Sequence, residues 1–469
     1  MNRPNILFVV MDSVRPEWLS CYHAAARSSP NIDRVARESF IFEQTISASS
    51  WTFPAMSSVF TGMVPTKHGG HDESMRLGDK YPTLTEVLQR HGYDTAAFAD
   101  VPYVGPMTGL DRGFRVMSNL GRDQVSPWSK VLKGIGRAHR LVTQDYRKTG
   151  ETPVVIGEAM RWLERDRERG KPFFLYIHSD ETHAPFLPPA RWRKQFTGLS
   201  ASAMYGLNQD KQAYMSGAIE MTEQDFRDMR DLARAEVAYF DSWLGKLFAK
   251  LADLDLYDDL WVVLAADHGE NLGDHGLLRH ALCLYDTLLR VPLILRVPGR
   301  SGAHVSGLTQ LIDVMPTLIA GAGIKDPAVD ECQGRDLVQA VDANAFADFA
   351  VSELYRPSEE SRVMWEKKAP TFYGEYLERF DRRLRSWRTA THKLLWSSNG
   401  RHELYDLVSD PDERNNVMAE QPDVASRLQA DMEAWLATFE HADGPSQPAS
   451  EADVDDAVME RLRDLGYVD

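Results

Sequence analysis

Asp267 and His268, followed by Gly269 and Glu270, stand directly after the apolar run 261–266. Such a run reads as a buried strand, and in open α/β sheets ligands bind at the carboxyl ends of strands. A carboxylate and an imidazole there are a hard oxygen and a borderline nitrogen, a pair suited to a divalent ion. The N-terminus repeats the arrangement, with Asp12 directly after the apolar run 5–11. Two strand ends carrying carboxylates can bring ligands from distant sequence into one site. Residues 50–58 add a hydroxyl. They run from coil into a helix, with Pro54 suited to its first turn. Thr52 is therefore expected just before a helix N-terminus, where backbone N–H groups and the helix dipole favour an anion. A hydroxyl there can be ionised by a metal and can attack phosphorus or sulfur. The plainer reading is that Thr52 is only the helix N-cap. Arg15 and Arg279 are candidate anion contacts, since guanidinium matches phosphate or sulfate oxygens. The alternative for each is a surface ion pair.

The chain of 469 residues can hold a large core and an appendage. Its apolar (43%) and charged (26%) fractions are those of a soluble enzyme. A net charge of −16 argues against nucleic acid and against an anionic membrane surface as partners. No apolar run approaches the roughly 20 residues that span a bilayer. Met1 to Pro4 lead straight into strand 5–11, which reads as part of the fold rather than a signal peptide. Cys21, Cys283 and Cys332 form neither a disulfide framework nor a CxxC metal motif and read as buried thiols. A reducing cytoplasm is the expected compartment.

Strand and helix signals alternate along the first part of the chain. Strands are expected at 5–11, 40–47, 96–99, 173–178, 261–266 and 291–297. Helices are expected at 31–39, 54–61, 83–91, 154–167, 226–254 and 313–322. This is an α/β pattern. Between about 101 and 153 it decays, and 187–224 is a second irregular stretch. Both read as insertions that select the substrate. Trp128, Trp192, Tyr205 and Tyr214 are available there to stack on an aromatic or sugar group, or simply to pack. From about 345 the organisation changes to short strands (349–354, 387–390 and 392–396) and a final helix, 425–439. The expected units are thus 1–344 and a smaller α+β unit, 345–469. Within the latter, 444–453 reads as mobile and 458–467 as a short docking helix.

Several blocks together resemble the sulfatase branch of the alkaline phosphatase superfamily. They are NILFVVMDSVRPEWLSCY (5–22), SPNIDRVARESFIFEQTISASSWTFPAMSSVFTGMVPTKHG (29–69), PFFLYIHSDETHAPFLPP (172–189), VVLAADHGENLGDHGLLRH (262–280), VPLILRVPG (291–299), LTQLIDVMPTLIAGAGI (308–324) and THKLLWSSNGRHELYDLVSDPDERNNV (391–417). The blocks keep the family's order and span most of the chain. The resemblance implies an alkaline-phosphatase/sulfatase-like α/β/α sandwich with a smaller C-terminal unit. It implies Asp12, Asp267 and His268 as metal ligands and Thr52 at the nucleophile position, also on the metal. His183 matches a histidine that contacts the bound anion or leaving group. His280 falls where sulfatases usually carry an anion-contacting lysine. Asp180, His183 and His280 are a candidate set for a second ion. The resemblance also allows a homo-oligomer.

The departures from that family change the chemistry. Sulfatases usually carry Cys or Ser in C/S-x-P-x-R, later oxidised to formylglycine. Here the segment is Thr52-Phe53-Pro54-Ala55-Met56. Oxidation of threonine at Cβ would give a ketone, and Met56 stands in place of the arginine. Ser13 replaces a second aspartate that often follows the first. A set of Asp12, Thr52, Asp267 and His268 favours zinc or manganese over calcium. The reading is a hydrolase of a small-molecule phosphoester, a phosphodiester or phosphonate monoester ahead of a phosphate monoester, through a phospho-threonine. The alternatives are a sulfuric ester hydrolase without formylglycine, transfer to an alcohol, and a non-catalytic binding protein on the same fold. His68 beside helix 54–61, His71, His178 at a strand end and His275 have packing roles as the plainer reading. Tyr285 and Asp286 read as fold support, and the run 161–169 as a solvated helix face.

Overall fold

The computed structural model describes residues 3–119 and 152–442. Trp128, the segment 444–453 and the expected helix 458–467 lie outside the described residues. The central sheet has eight strands in the order β10-β2-β9-β6-β1-β5-β3-β4. These are β1 (Asn5–Met11), β2 (Phe40–Ile46), β3 (Asp94–Ala99), β4 (Val116–Asn119), β5 (Phe173–Ser179), β6 (Leu260–Ala266), β9 (Arg290–Arg296) and β10 (Ala303–Gln310). Among the described strands of this sheet, only β9 runs against its neighbours. The expected α/β fold is present, as a mixed sheet. Strands β1, β5 and β6 are buried along almost their whole length. Their unbroken apolar runs are what a parallel strand covered on both faces requires.

Where the sequence pattern was weak, elements were missed. Strand β10 is an edge strand with exposed residues in its first half, so it carries no continuous apolar run. Strand β4 is short and half-buried, which makes residues 116–119 part of the sheet rather than of an insertion. The expected helix 154–167 is an α-helix, Thr152–Arg161, followed by a π-type turn, Trp162–Asp166. The stretch 187–224 holds three short helices, Ala190–Phe196, Ala201–Gly206 and Lys211–Met215.

The 31-residue helix Glu223–Asp253 flanks the sheet. Helix Pro30–Ala36 packs on it, and its own N-cap residue, Ser29, makes no side-chain capping bond. Asp241 of the long helix caps it instead, accepting from the Asn31 N–H at 3.0 Å and the Ile32 N–H at 2.8 Å. A side chain on Gly245 would meet Asn31 within 2.6 Å, so glycine permits this approach. Asp241→Ala is expected to cost about 1–3 kcal/mol of stability, read as a lower urea midpoint.

A second sheet is antiparallel, in the order β11-β12-β13-β14. It comprises β11 (Ala350–Leu354), β12 (Leu384–Arg388), β13 (His392–Ser397) and β14 (Glu403–Asp406). Helix Pro422–Leu436 covers one face, where Leu428 and Met432 meet Trp387, Leu394 and Leu404. Helices Glu359–Lys368 and Tyr373–Phe380, not foreseen from sequence, bury Trp365 and Tyr376 against Leu282 and Leu288.

Candidate metal centre and active site

The carboxyl ends of β6, β1 and β5 lie side by side. Met11 pairs with Ala266 on one side and Ser179 on the other, so Asp12 and Asp267 emerge together. The chain after β2 turns back across this edge and enters helix Thr52–Thr61. Its N-cap is Trp51, so Thr52 is the first helical residue and not the cap expected in the plainer reading. Ser47 ties this crossing to the site, its Oγ donating to the Asp267 carbonyl at 2.5 Å. Thr182 does the same for Asp12, donating to its carbonyl at 2.7 Å. Gly269 is needed because a Cβ there would stand 2.2 Å from the Thr287 carbonyl oxygen.

Asp12, Asp267 and His268 present their donor atoms to one another in a buried group. The His268 Nε2 lies 3.5 Å from Asp267 Oδ2, 3.7 Å from Asp12 Oδ1 and 3.3 Å from Thr52 Oγ1. The Asp267 Oδ1 accepts from the backbone N–H groups of His268 and Ser13. Its Oδ2 is buried and has no hydrogen-bond partner among the described residues. Burial works to raise this carboxyl, but His268, His178 and the Ser13 N–H hold it below the usual range. Ionised oxygens and a ring nitrogen gathered around an unsatisfied carboxylate oxygen are the donor set of a divalent ion. Three of the four residues expected to hold the metal thus form this group, and Thr52 adjoins it.

Beside it lies a second group, His183, Glu270 and His280. The rings of His268 and His280 are 4.5 Å apart, and those of His280 and His183 are 5.0 Å apart. Glu270 takes the place in this group that sequence reasoning gave to Asp180. The Asp180 N–H donates to Asp100 Oδ1 at 2.8 Å. A small hairpin explains the exchange: β7 (Asn271–Leu272) pairs with β8 (Leu278–Arg279), which brings the preceding Glu270 beside the following His280. Glu270 Oε1 lies 3.1 Å from His280 Nδ1. Burial works to raise the Glu270 carboxyl, but His280 and Arg279 hold it below the usual range. Burial pushes the His280 imidazole down to about 4. Lys211 was not foreseen. Burial and the nearby Arg279 bring its ammonium down to about 8. Hairpin turns at Gly273 and Gly276 were the signal that would have paired Glu270 with His280.

The profile of the family described as Sulfatase matches residues 4–324. The chain belongs to the sulfatase family. It is an ester hydrolase of that family, with the alkaline-phosphatase-like fold. A C-terminal profile, that of N-sulphoglucosamine sulphohydrolase, matches residues 273–441. The uncharacterized sulfatase YidJ of Escherichia coli is 23% identical over 89% of this chain and 84% of its own length. An N-acetylglucosamine-6-O-sulfatase of Bacteroides thetaiotaomicron is 23% identical over 88% and 82%. The fold is shared with the phosphonate monoester hydrolase of Agrobacterium radiobacter, at a TM-score of 0.75 and 21% identity over 94% and 96% of the two chains.

Other residues singled out in this sulfatase-family chain have structural partners. Arg15 pairs with Glu17 and, at 2.9 Å, with Asp274. It lines a polar cavity of about 930 Å³ together with Arg230 and Arg388, and none of the metal group lines that cavity. Arg15 thus holds two carboxylates, and its guanidinium also donates to the Glu270 carbonyl at 3.3 Å. Arg279 stands 4.0 Å from Glu270. His68 Nε2 bonds Ser58 Oγ at 2.8 Å, beside the Thr52 helix as expected. His71 and His275 stack on Tyr355 and Tyr285. Trp192 packs on Tyr239 and Tyr214 on Phe226, while Tyr205 is exposed. The three cysteines are thiols, with Cys283 buried and the others half-buried. Among the described residues no helix is long and apolar enough to cross a membrane.

Proposed function

We propose that this sulfatase-family chain hydrolyses phosphoesters, a phosphodiester or phosphonate monoester ahead of a phosphate monoester, through nucleophilic Thr52. The observation that carries the reading is the residue at position 52. Its hydroxyl adjoins the metal group, 3.3 Å from His268 Nε2, and threonine cannot be converted to formylglycine. A divalent ion held by Asp12, Thr52, Asp267 and His268, zinc or manganese by the donor chemistry, supplies charge that favours an ionised hydroxyl and offsets charge on the transferred group. Thr52 Oγ1 bonds to phosphorus as the bond from phosphorus to the ester oxygen breaks, and His183 hands that oxygen a proton. Water then attacks the same phosphorus, His280 Nε2 takes its proton, and the bond to Thr52 breaks. The threonine and both histidines recover their starting states by exchange with solvent.

Glu270 sets the tautomer for the second step. An ionised carboxylate only accepts, so the His280 proton sits on Nδ1 and the Nε2 lone pair faces proton acceptance. Glutamine can donate to Nδ1 and reverse this. Glu270→Gln is therefore expected to release the leaving group in a burst, lower the steady rate about 100-fold, and accumulate phosphorylated Thr52 in peptide mass spectra. An unchanged steady rate would remove Glu270 from the mechanism. The trio His183, Glu270 and His280 also has the chemistry for a second ion. The existing contact between Glu270 and His280 favours the acid–base role, and one ion per chain by elemental analysis is the expected stoichiometry.

Sulfate ester hydrolysis is the second reading, favoured by relatives named as sulfatases along nearly the whole chain. It requires water to break a sulfo-threonine bond. Initial rates of zinc- or manganese-loaded protein on p-nitrophenyl phosphate, bis-p-nitrophenyl phosphate, a phenylphosphonate ester and p-nitrophenyl sulfate separate the two. Phosphoester turnover is expected to dominate, and chelation of the metal to abolish it. Dominant sulfate turnover would overturn the preference, and bound metal with no turnover of any of these would favour a binding protein on this fold.

A further inference from the structure

His183 sits in the loop that leaves β5, where residues 180–189 form neither helix nor strand. No ladder of backbone bonds fixes such a segment, so side chains must. Glu236, buried within the helix Glu223–Asp253, reaches the loop on both sides of His183. Its Oε1 accepts from the Leu187 N–H at 2.6 Å. Its carboxyl also hydrogen-bonds that of Glu181. Glu181 is buried as well, and its Oε2 accepts from the Thr152 hydroxyl at 2.6 Å. Two ionised carboxylates offer each other no hydrogen, so the bond between Glu181 and Glu236 carries one proton. Burial and the neighbouring Glu236 accordingly push the Glu181 carboxyl well above the usual range.

Between these two anchors the loop is tied to the site. The Thr182 hydroxyl donates to the Asp12 carbonyl at 2.7 Å, and the His183 ring lies 5.0 Å from that of His280. Gln209 brackets the next turn, accepting from the Phe186 N–H at 2.7 Å and donating to its carbonyl at 3.2 Å. A buried pair of carboxyls is a costly way to hold a loop on a helix, since apolar side chains of the same volume would pack there at less cost. What the carboxyls add is direction. Bonds of 2.6 Å to one backbone N–H and one hydroxyl fix where the loop stands along the helix. Proton transfer makes that demand, because a misplacement of about 1 Å costs on the order of 100-fold in rate.

We propose that Glu236 is a positioning residue for the leaving-group step: through its bonds to Glu181 and Leu187 it clamps the loop on either side of His183 and sets where that imidazole stands. The inference rests on the reading of His183 as the group that hands the ester oxygen its proton. Glu236 itself touches neither the substrate nor the ion. Its loss is therefore felt in proportion to how much the leaving oxygen needs that proton.

The test compares kcat/KM of the full, metal-loaded chain for two esters of phenylphosphonate, one releasing p-nitrophenolate and one the more basic phenolate. The phenolate depends more on the acid. Glu236→Ala is expected to lose about 100-fold on the phenyl ester and less than about threefold on the p-nitrophenyl ester, and His183→Ala to show the same split. A lowered folded fraction would scale both esters alike and leaves the split unchanged. Glu236→Gln, whose amide donates to Glu181 while its oxygen accepts from Leu187, is expected to recover most of the loss on the phenyl ester. Equal losses on the two esters in Glu236→Ala, or a glutamine variant as impaired as the alanine one, overturn the inference and leave His183 as the acid. Equal losses in His183→Ala, or no turnover of either ester by the original chain, overturn the reading on which the inference rests, and the inference with it. Should Glu236→Ala not fold, Glu236→Asp, too short to keep both contacts, decides by the same comparison.

Discussion

Replacing Thr52 by alanine is expected to lower kcat/KM for the best phosphoester about 1,000-fold or more, in a protein that still folds and still binds its divalent ion. The two halves of this expectation have separate causes. Thr52 gives the helix Thr52–Thr61 no side-chain cap, so its loss removes none of the bonds that start the helix. Asp12, Asp267 and His268 stay in place to hold the ion. What disappears is the oxygen that forms the bond to phosphorus. Thr52→Ser keeps that oxygen and is expected to stay within about tenfold of the original rate. Initial rates, zinc affinity and thermal unfolding of both variants check these statements together. An alanine variant retaining a tenth of the rate would assign the attack to water, with the threonine as a mere neighbour of the ion.

The sequence was most readable where one physical demand dominates. Strands β1, β5 and β6 are covered on both faces, so their apolar runs had little freedom to be anything else, and the carboxylates at their ends were visible with them. Register then turned separate motifs into a site: Asp12 and Asp267 are 255 positions apart and become neighbours because Met11 pairs with Ala266. That pairing could be guessed only as a convergence of strand ends. Glu270 was in view beside His268, but its contact with His280 depends on a hairpin whose strands, two residues each, are too short to leave a periodic signal. His178 was harder still. A histidine inside a buried strand reads as packing, and its 3.8 and 4.0 Å approaches to carboxylates at two other strand ends follow only from the register. Arg15, chemically suited to an anion, is paired with Glu17 and Asp274, the ion pair that was its alternative reading.

The second large effect is expected far from the chemistry, at Lys393 of β13. Its side chain is fully buried and its ammonium lies 2.8 Å from Asp286 and 2.7 Å from Glu413. Arg388 adds a contact to Asp286 at 3.1 Å. Lys393→Met would leave Glu413 without its cation and Asp286 with only one. Removing one partner of a buried ion group costs about 3–5 kcal/mol, because the remaining charge stays desolvated. A urea titration should show the loss, and adding Glu413→Gln should recover part of it. Burial opposes ionisation of Asp286, yet Lys393 and Arg388 hold its carboxyl far below the usual range. Its contribution is therefore complete above about pH 4 and is lost only as the pH falls toward that lower native value. The same substitution should reach the metal. Asp286 opens the helix Asp286–Leu289, whose Leu288 carbonyl accepts from the Gly269 N–H at 2.8 Å and whose Leu289 carbonyl accepts from the Ser47 N–H at 2.7 Å. Ser47 in turn holds Asp267. The second sheet thus braces the turn that carries Asp267 and His268. Lys393→Met is expected to weaken zinc binding even under conditions where the protein remains folded, and an affinity equal to that of the original chain would confine Lys393 to stability alone.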